Sequence, residues 1–355
     1  MNHISIDKLY NPQYDLLSVS DKKALLNILA AIYNLELICF KEFKAFEKST
    51  YTAVYRSNDG IDFVFVPGDT VRLGLNFDNK KLQDIFDKES LMDLAYVFLD
   101  GYEDEIYSEE DILTKISEAL ADEAIISNIE KYLTHNFTQE GEFIIYPLLV
   151  QKTYSETCWI PISDEELIQN KEWQNMIKKS EIKGLSEVMV HNTVCLYKTD
   201  DSNWCGKLYG ETTFNKLLQD IKIHGYFLPT QREWEYLAGK GCRTIFPWGN
   251  NIDFSMNLKH MEWMDNDGAY TLEKENFFGL IIGDDPYCRE IVYDECGFSH
   301  KGGDGGRNIC GGLGVVWGYL PVSPYFQDSE MVVGDYINGG YDFFRRVIRI
   351  NDNMK

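Results

Sequence analysis

Three thiols in the last third of the chain, Cys288, Cys296 and Cys310, are the side chains best suited to carry chemistry. Thiolates are nucleophiles and soft metal ligands, so sulfurs converging beside a cleft would make a thiol or metal centre. The eight cysteines never form the close C-x-x-C pair of a redox or zinc site, and the step from Cys288 to Cys296 is loose. Oxygen donors are the second resource. Asp265, Asp267, Asp284, Asp285 and Asp304 lie in turn-rich sequence, as a calcium site requires. Gly268 comes too early for an EF-hand loop, however, and the same runs serve equally as Asx-turns. GGDGGRN offers a backbone nest with Arg307 as a fork for an anion, but it lacks the lysine and strand–helix setting of a phosphate loop. The histidines at 3, 135, 191, 224, 260 and 300 are isolated and read as surface or cap residues, and no serine sits in a G-x-S-x-G elbow.

The whole chain narrows these options. Its 355 residues are 44% hydrophobic and 14% aromatic, enough for one large core or two smaller ones. A formal net charge of −23 repels phosphate backbones and anionic lipid, so nucleic acid is not an expected partner. The opening MNHISIDKLYNPQYD has no basic segment followed by an apolar run, and no window approaches the roughly 18 apolar residues of a membrane span. The expected address is the cytoplasm, with reduced cysteines that mostly pack as small hydrophobes.

The elements that would position these residues follow from period and turn chemistry. Leu25, Ile28, Leu29, Ile32 and Leu35 predict an amphipathic helix from Asp21 to about Lys48. Ile61, Phe63 and Phe65, then Pro67-Gly68-Asp69, then Val71 and Leu73 predict a β-hairpin. Residues 82–133 form a helical zone, and 142–154 a buried strand. Ser163 with Glu166 makes a capping box, and Thr212 or Thr213 caps FNKLLQDIK. Beyond Phe246 the chain is rich in glycine, aspartate and aromatics, a texture of ordered loops.

FLPTQREWEYLAGKGCRTIFPWGN, residues 227–250, is the most specific stretch. Thr230 and Glu233 can cap a helix reciprocally, Pro229 fixes its entry, and Gly239 can end it in a left-handed conformation. Phe246 and Trp248 supply packing area around the turn Pro247-Trp248-Gly249. Burial of Trp234, Phe246 and Trp248 is expected.

This helix and turn resemble the signature of the formylglycine-generating enzyme family, the sulfatase-modifying-factor domain. Leu228, Pro229, Thr230, Glu233, Trp234, Glu235 and Tyr236 match the helix; Pro247, Trp248 and Gly249 match the turn. Weaker matches follow in the family's order: Val66-Pro67-Gly68 with Gly74, then Asn276, Phe278, Gly279, Leu280, Glu290 and Asp294, then Gly340, Phe344, Arg345 and Val347. The resemblance implies a loop-rich α+β fold related to C-type lectin-like domains, spanning residues 51–350. Residues 1–50 are then an N-terminal helical extension and 82–133 a helical insertion.

The family's activity, as the resemblance implies it, uses two cysteines shortly before the last strand to hold copper and oxidise a substrate cysteine. Here the corresponding stretch, from Val315 to Phe344, contains no cysteine, and Cys310 falls where the family's arginine-glycine-glycine-serine motif has arginine. Formylglycine-generating activity is therefore not expected. The expected role is that of a pseudoenzyme without a catalytic cofactor, structural calcium being the one candidate ion. It would bind a protein or small ligand through C-terminal loops, where Arg307, Trp317, Tyr319, Tyr325 and Phe326 would line a cleft. The alternative is an oxidoreductase or other thiol or metal enzyme with a centre relocated to Cys288, Cys296 and Cys310.

Overall fold

Leu25, Leu26 and Leu29 bury one stripe of helix α1 (Val19–Tyr33), whose first turn is capped by Ser18. The computed structural model describes residues 5–77, 80–98, 109–199, 201–253, 255–261, 268–329, 333–334 and 336–351. Asn34 ends α1 in the left-handed region, and the chain turns directly into strand β1 (Glu36–Ala45). The helix expected to reach Lys48 is therefore shorter: beyond Asn34 the helical period lapses, and the residues pair with strand β2 (Lys48–Arg56) instead.

The expected hairpin at Pro67 is also corrected. Strands β3 (Asp62–Val66) and β4 (Asp69–Leu73) do not pair with each other. The run 142–154 likewise divides, into β5 (Gly141–Ile145) and β6 (Leu148–Gln151). β3 pairs with β6 and β4 with β5, so the four strands form one antiparallel ribbon with a corner at Pro67 on one arm and Pro147 on the other. Proline has no N–H for a ladder, and two facing prolines let the ribbon break cleanly and enter two sheets.

The tip of that ribbon carries helices α2 (Lys88–Tyr96), α3 (Glu109–Ala119) and α4 (Glu123–Asn136). Strands β7 (Ser155–Glu156) and β8 (Trp159–Pro161) follow, then α5 (Asp164–Gln169) under the Ser163–Glu166 capping box, and α6 (Lys171–Ile182). β9 (Glu187–Val190), β10 (Val194–Lys198) and β11 (Trp204–Tyr209) join β8 in the order β8-β11-β10-β9. Helix α7 (Phe214–Ile223), capped by Thr213, leads to α8 (Gln231–Gly239).

The last third supplies β12 (Arg289–Asp294) and β13 (Gly297–Lys301), the short helix α9 (Val315–Tyr319), β14 (Asp342–Phe344) and β15 (Val347–Arg349). One sheet runs β1-β2-β3-β6-β15 and another β13-β12-β14-β7. The architecture is a mixed α+β fold of several open sheets with helices between and around them. Among the described residues no helix is long and apolar enough to cross a membrane.

Candidate functional site

Helix α8 is the node from which the C-terminal half is built. Thr230 Oγ1 accepts from the Glu233 amide at 3.1 Å, and Glu233 Oε2 accepts from the Thr230 amide at 2.8 Å. The same carboxylate takes two bonds of 2.6 Å from the Arg349 guanidinium on β15, so the cap also fastens the last strand. Trp234 is fully buried, and Phe246 is too. Trp248 is only half-buried, its ring stacked on Phe246 at 4.6 Å. Lys240, not Gly239, takes the left-handed position at the helix end; Gly239 stays helical, where a β-carbon would sit 3.0 Å from Pro324.

The three thiols do not come together. Cys288 precedes β12 and Cys296 lies in the turn beyond it, about 20 Å away for a six-residue strand. Cys288 is mostly buried near Tyr154, and burial pushes its thiol up to about 12. Cys310 is exposed, with Sγ 2.7 Å from Tyr287 Oη. The Tyr287 ring in turn rests on His260, whose Nε2 is 2.9 Å from Asp285. Each sulfur thus has surroundings of its own, and these residues do not fit the paired-thiolate copper site that the family resemblance implies.

Asp265 and Asp267 lie outside the described residues. Asp285 accepts from the Tyr287 amide and meets Lys259 as well as His260. Asp304 accepts from the Asn308 amide, leaving its other oxygen buried without a partner. No group of three or more His, Cys, Asp or Glu side chains able to hold a metal ion occurs among the described residues.

Asp284 is held differently from its neighbour. Tyr154 donates to Oδ2 at 3.1 Å while Oδ1 is buried with no partner, and burial lifts the carboxyl from 3.8 to about 6. The folded state holds this proton more tightly than the unfolded chain, so stability rises as pH falls from about 6 to about 4. Asp284→Asn keeps an acceptor for Tyr154 without the buried charge. It should stabilise the protein at pH 7 by about 1–3 kcal/mol, with the advantage vanishing near pH 4. Urea midpoints of the two proteins across that range measure it.

The aromatics expected to line a cleft are core residues. Trp317, Tyr319 and Tyr325 are at most 4% exposed. The reason is the helical insertion: Trp317 Nε1 donates to the Leu94 carbonyl at 2.9 Å, and Asp93 accepts from the amides of Val315 and Val316. Phe326 is also buried but borders a pocket of about 180 Å³ between β13 and residues 326–329. Arg307 does not line it, but pairs at 2.9 Å with Asp328, which does.

His300, which the sequence reading placed among surface residues, lines this pocket and is 9% exposed. Its Nε2 lies 3.4 Å from Asp342, yet neither ring nitrogen makes a hydrogen bond. Asp342 is already taken by Arg289, at 2.9 and 2.6 Å, and by the Asn338 amide at 2.7 Å. Burial drives the imidazole down to about 4, so it is neutral at pH 7 and can both donate and accept. The next residue, Lys301, is fully buried; its ammonium donates to the Phe326 carbonyl at 2.6 Å, and burial lowers it to about 8. The period of GFSHK on a strand was the available signal, because it puts Phe298 and His300 on one face.

Comparison with known proteins returns no matching family model and no matching curated protein. The site's chemistry therefore rests on its own geometry.

Proposed function

We propose that the chain is a divergent sulfatase-modifying-factor-like domain whose role is to bind a small polar ligand in the pocket beside His300 and Phe326. One observation carries this reading: a buried, neutral imidazole with no hydrogen bond of its own lines a polar pocket. An unsatisfied buried donor and acceptor costs about 1–3 kcal/mol, and a ligand that meets it recovers that cost on binding. The helix–turn signature around Trp234 and Phe246 supports the family assignment, since it is kept as a consistent packing unit. The separate placement of Cys288, Cys296 and Cys310 supports a binding role over oxidation at a thiol-held metal.

A second reading has its own observation, the exposed Cys310 thiol against Tyr287 and the His260–Asp285 pair. A single experiment with two arms separates the two readings. Copper-treated protein given a cysteine peptide, oxygen and a reductant is expected to yield no aldehyde by mass; turnover lost on changing Cys310 would establish the thiol enzyme. In the other arm, a panel of small polar metabolites is screened by the His300 imidazole NMR signals. A metabolite that perturbs them, and whose own saturation-transfer signal is lost in His300→Phe, is expected, and a panel that leaves those signals unmoved overturns the proposal.

A further inference from the structure

A second cavity, of about 220 Å³, shares no lining residue with the first and lies where the tip of the β1–β2 hairpin meets the Pro247–Trp248 turn. Its walls are apolar: Phe46, Trp248, Leu272, Ile282 and Val322. Phe46 and Trp248 lie 5.5 Å apart, ring centre to ring centre, and are both half-buried. The hairpin tip is built in an unusual way. Phe46 and Glu47 both take positive φ, 49° and 60°, in a two-residue turn where Asn-Gly or Gly-Gly would be unstrained. A bulky side chain in that region is strained, and such strain persists where the side chain's position is worth more than the relaxed turn. Here the strained residue is the one that forms a wall of the cavity.

The rim reverses the sign of the protein. On a chain of net charge −23, this cavity is bordered by Lys44, Lys274 and Glu275. Glu275 is already bridged by Lys41 at 2.9 Å and Lys152 at 2.6 Å, so its charge is met twice over. Lys44 pairs with Glu42 alone, and Lys274 is exposed with no ion-pair partner among the described residues. An apolar cavity with two touching rings on one side and excess cationic charge at its mouth suits a flat apolar body bearing one carboxylate. The cavity is smaller than the roughly 300–1,000 Å³ that drug-sized ligands occupy, which limits that body to about one ring.

We infer that this cavity is a binding site for a small aromatic monocarboxylate, packed against the joined Phe46 and Trp248 rings with its carboxylate towards Lys274. The site is separate from the His300 pocket and does not depend on it.

The test uses 3-phenylpropionate as probe and 3-phenylpropionamide as its uncharged counterpart, titrated by saturation-transfer NMR against the full chain. The acid is expected to bind saturably and several-fold more tightly than the amide, with the difference shrinking in high salt. Phe46→Gly relieves the turn while removing one wall, so the variant stays folded and its affinity falls by about tenfold. Lys274→Ser brings the acid down to the level of the amide. His300→Phe leaves all of these values unchanged, which keeps this inference distinct from the proposed function. Equal binding of acid and amide overturns the inference, as does undiminished binding by Phe46→Gly or no saturable binding at millimolar concentration. Binding of an acidic aromatic peptide where the free acid does not bind would overturn it too, making the cavity a peptide-docking site.

Discussion

Arg345→Met lowers the free energy of unfolding by about 3–5 kcal/mol, the cost of leaving a buried charge without its partner. Arg345 is fully buried and grips Glu290 with two bonds of 2.8 Å. Its remaining donors reach the carbonyls of Gln151, Lys152 and Ile281 at 2.6 to 3.0 Å. One guanidinium therefore ties β12, the end of β6 and the loop before Asp284 together. Methionine replaces the aliphatic stem and removes every one of those donors. The double variant Glu290→Met/Arg345→Met is expected to recover part of the loss, because it also removes the stranded carboxylate. Denaturant midpoints measure both; a single variant as stable as the parent would show that the pair is not structural.

Trp234→Ala costs about 3–5 kcal/mol as well, by a different route: a large cavity at the centre of the principal core. The indole is enclosed by backbone that has given up side chains for it. A β-carbon on Gly302 would lie 2.8 Å from Cζ2, and one on Gly283 3.7 Å from the ring edge. The Lys301 ammonium sits 5.7 Å from the ring centre. This geometry makes a sharper claim. Gly302→Ala should be less damaging in the Trp234→Ala background than in the parent, since its steric part vanishes while the strain of φ +88° remains. Additive losses in the thermodynamic cycle would contradict it.

How much of this was legible in the sequence depended on the range of the interaction. The capping boxes at Thr230 and Ser163 join residues three apart, so the local chain specifies them completely. The ribbon corner at Pro67 did not declare itself, because β3 finds its partner beyond the helical insertion, and a proline-glycine turn reads the same in a hairpin as between two sheets. Trp317, Tyr319 and Tyr325 have the composition of a ligand cleft, but Asp93 and Leu94 cover that region from more than two hundred residues upstream. His300 is isolated in sequence, and its burial and missing hydrogen bonds arise only in the fold, where the nearby Asp342 is engaged by Arg289 and Asn338. The hairpin tip at Phe46 and Glu47 was invisible for a related reason: positive φ on such residues runs against their own preference and is imposed by the pairing of β1 with β2.

The guanidiniums of Arg345, between β14 and β15, and of Arg349, at the end of β15, also set an order of assembly. Arg345 and Arg349 neutralise Glu290 and Glu233, carboxylates buried in elements made 55 and 116 residues earlier. Until Arg345 and Arg349 dock, α8 and β12 carry acidic groups that the finished core cannot accept unpaired. The core around α8 and β12 therefore closes only when the segment carrying Arg345 and Arg349 joins it, so the sequence-distant end of the fold is a condition of burial and not an addition to it.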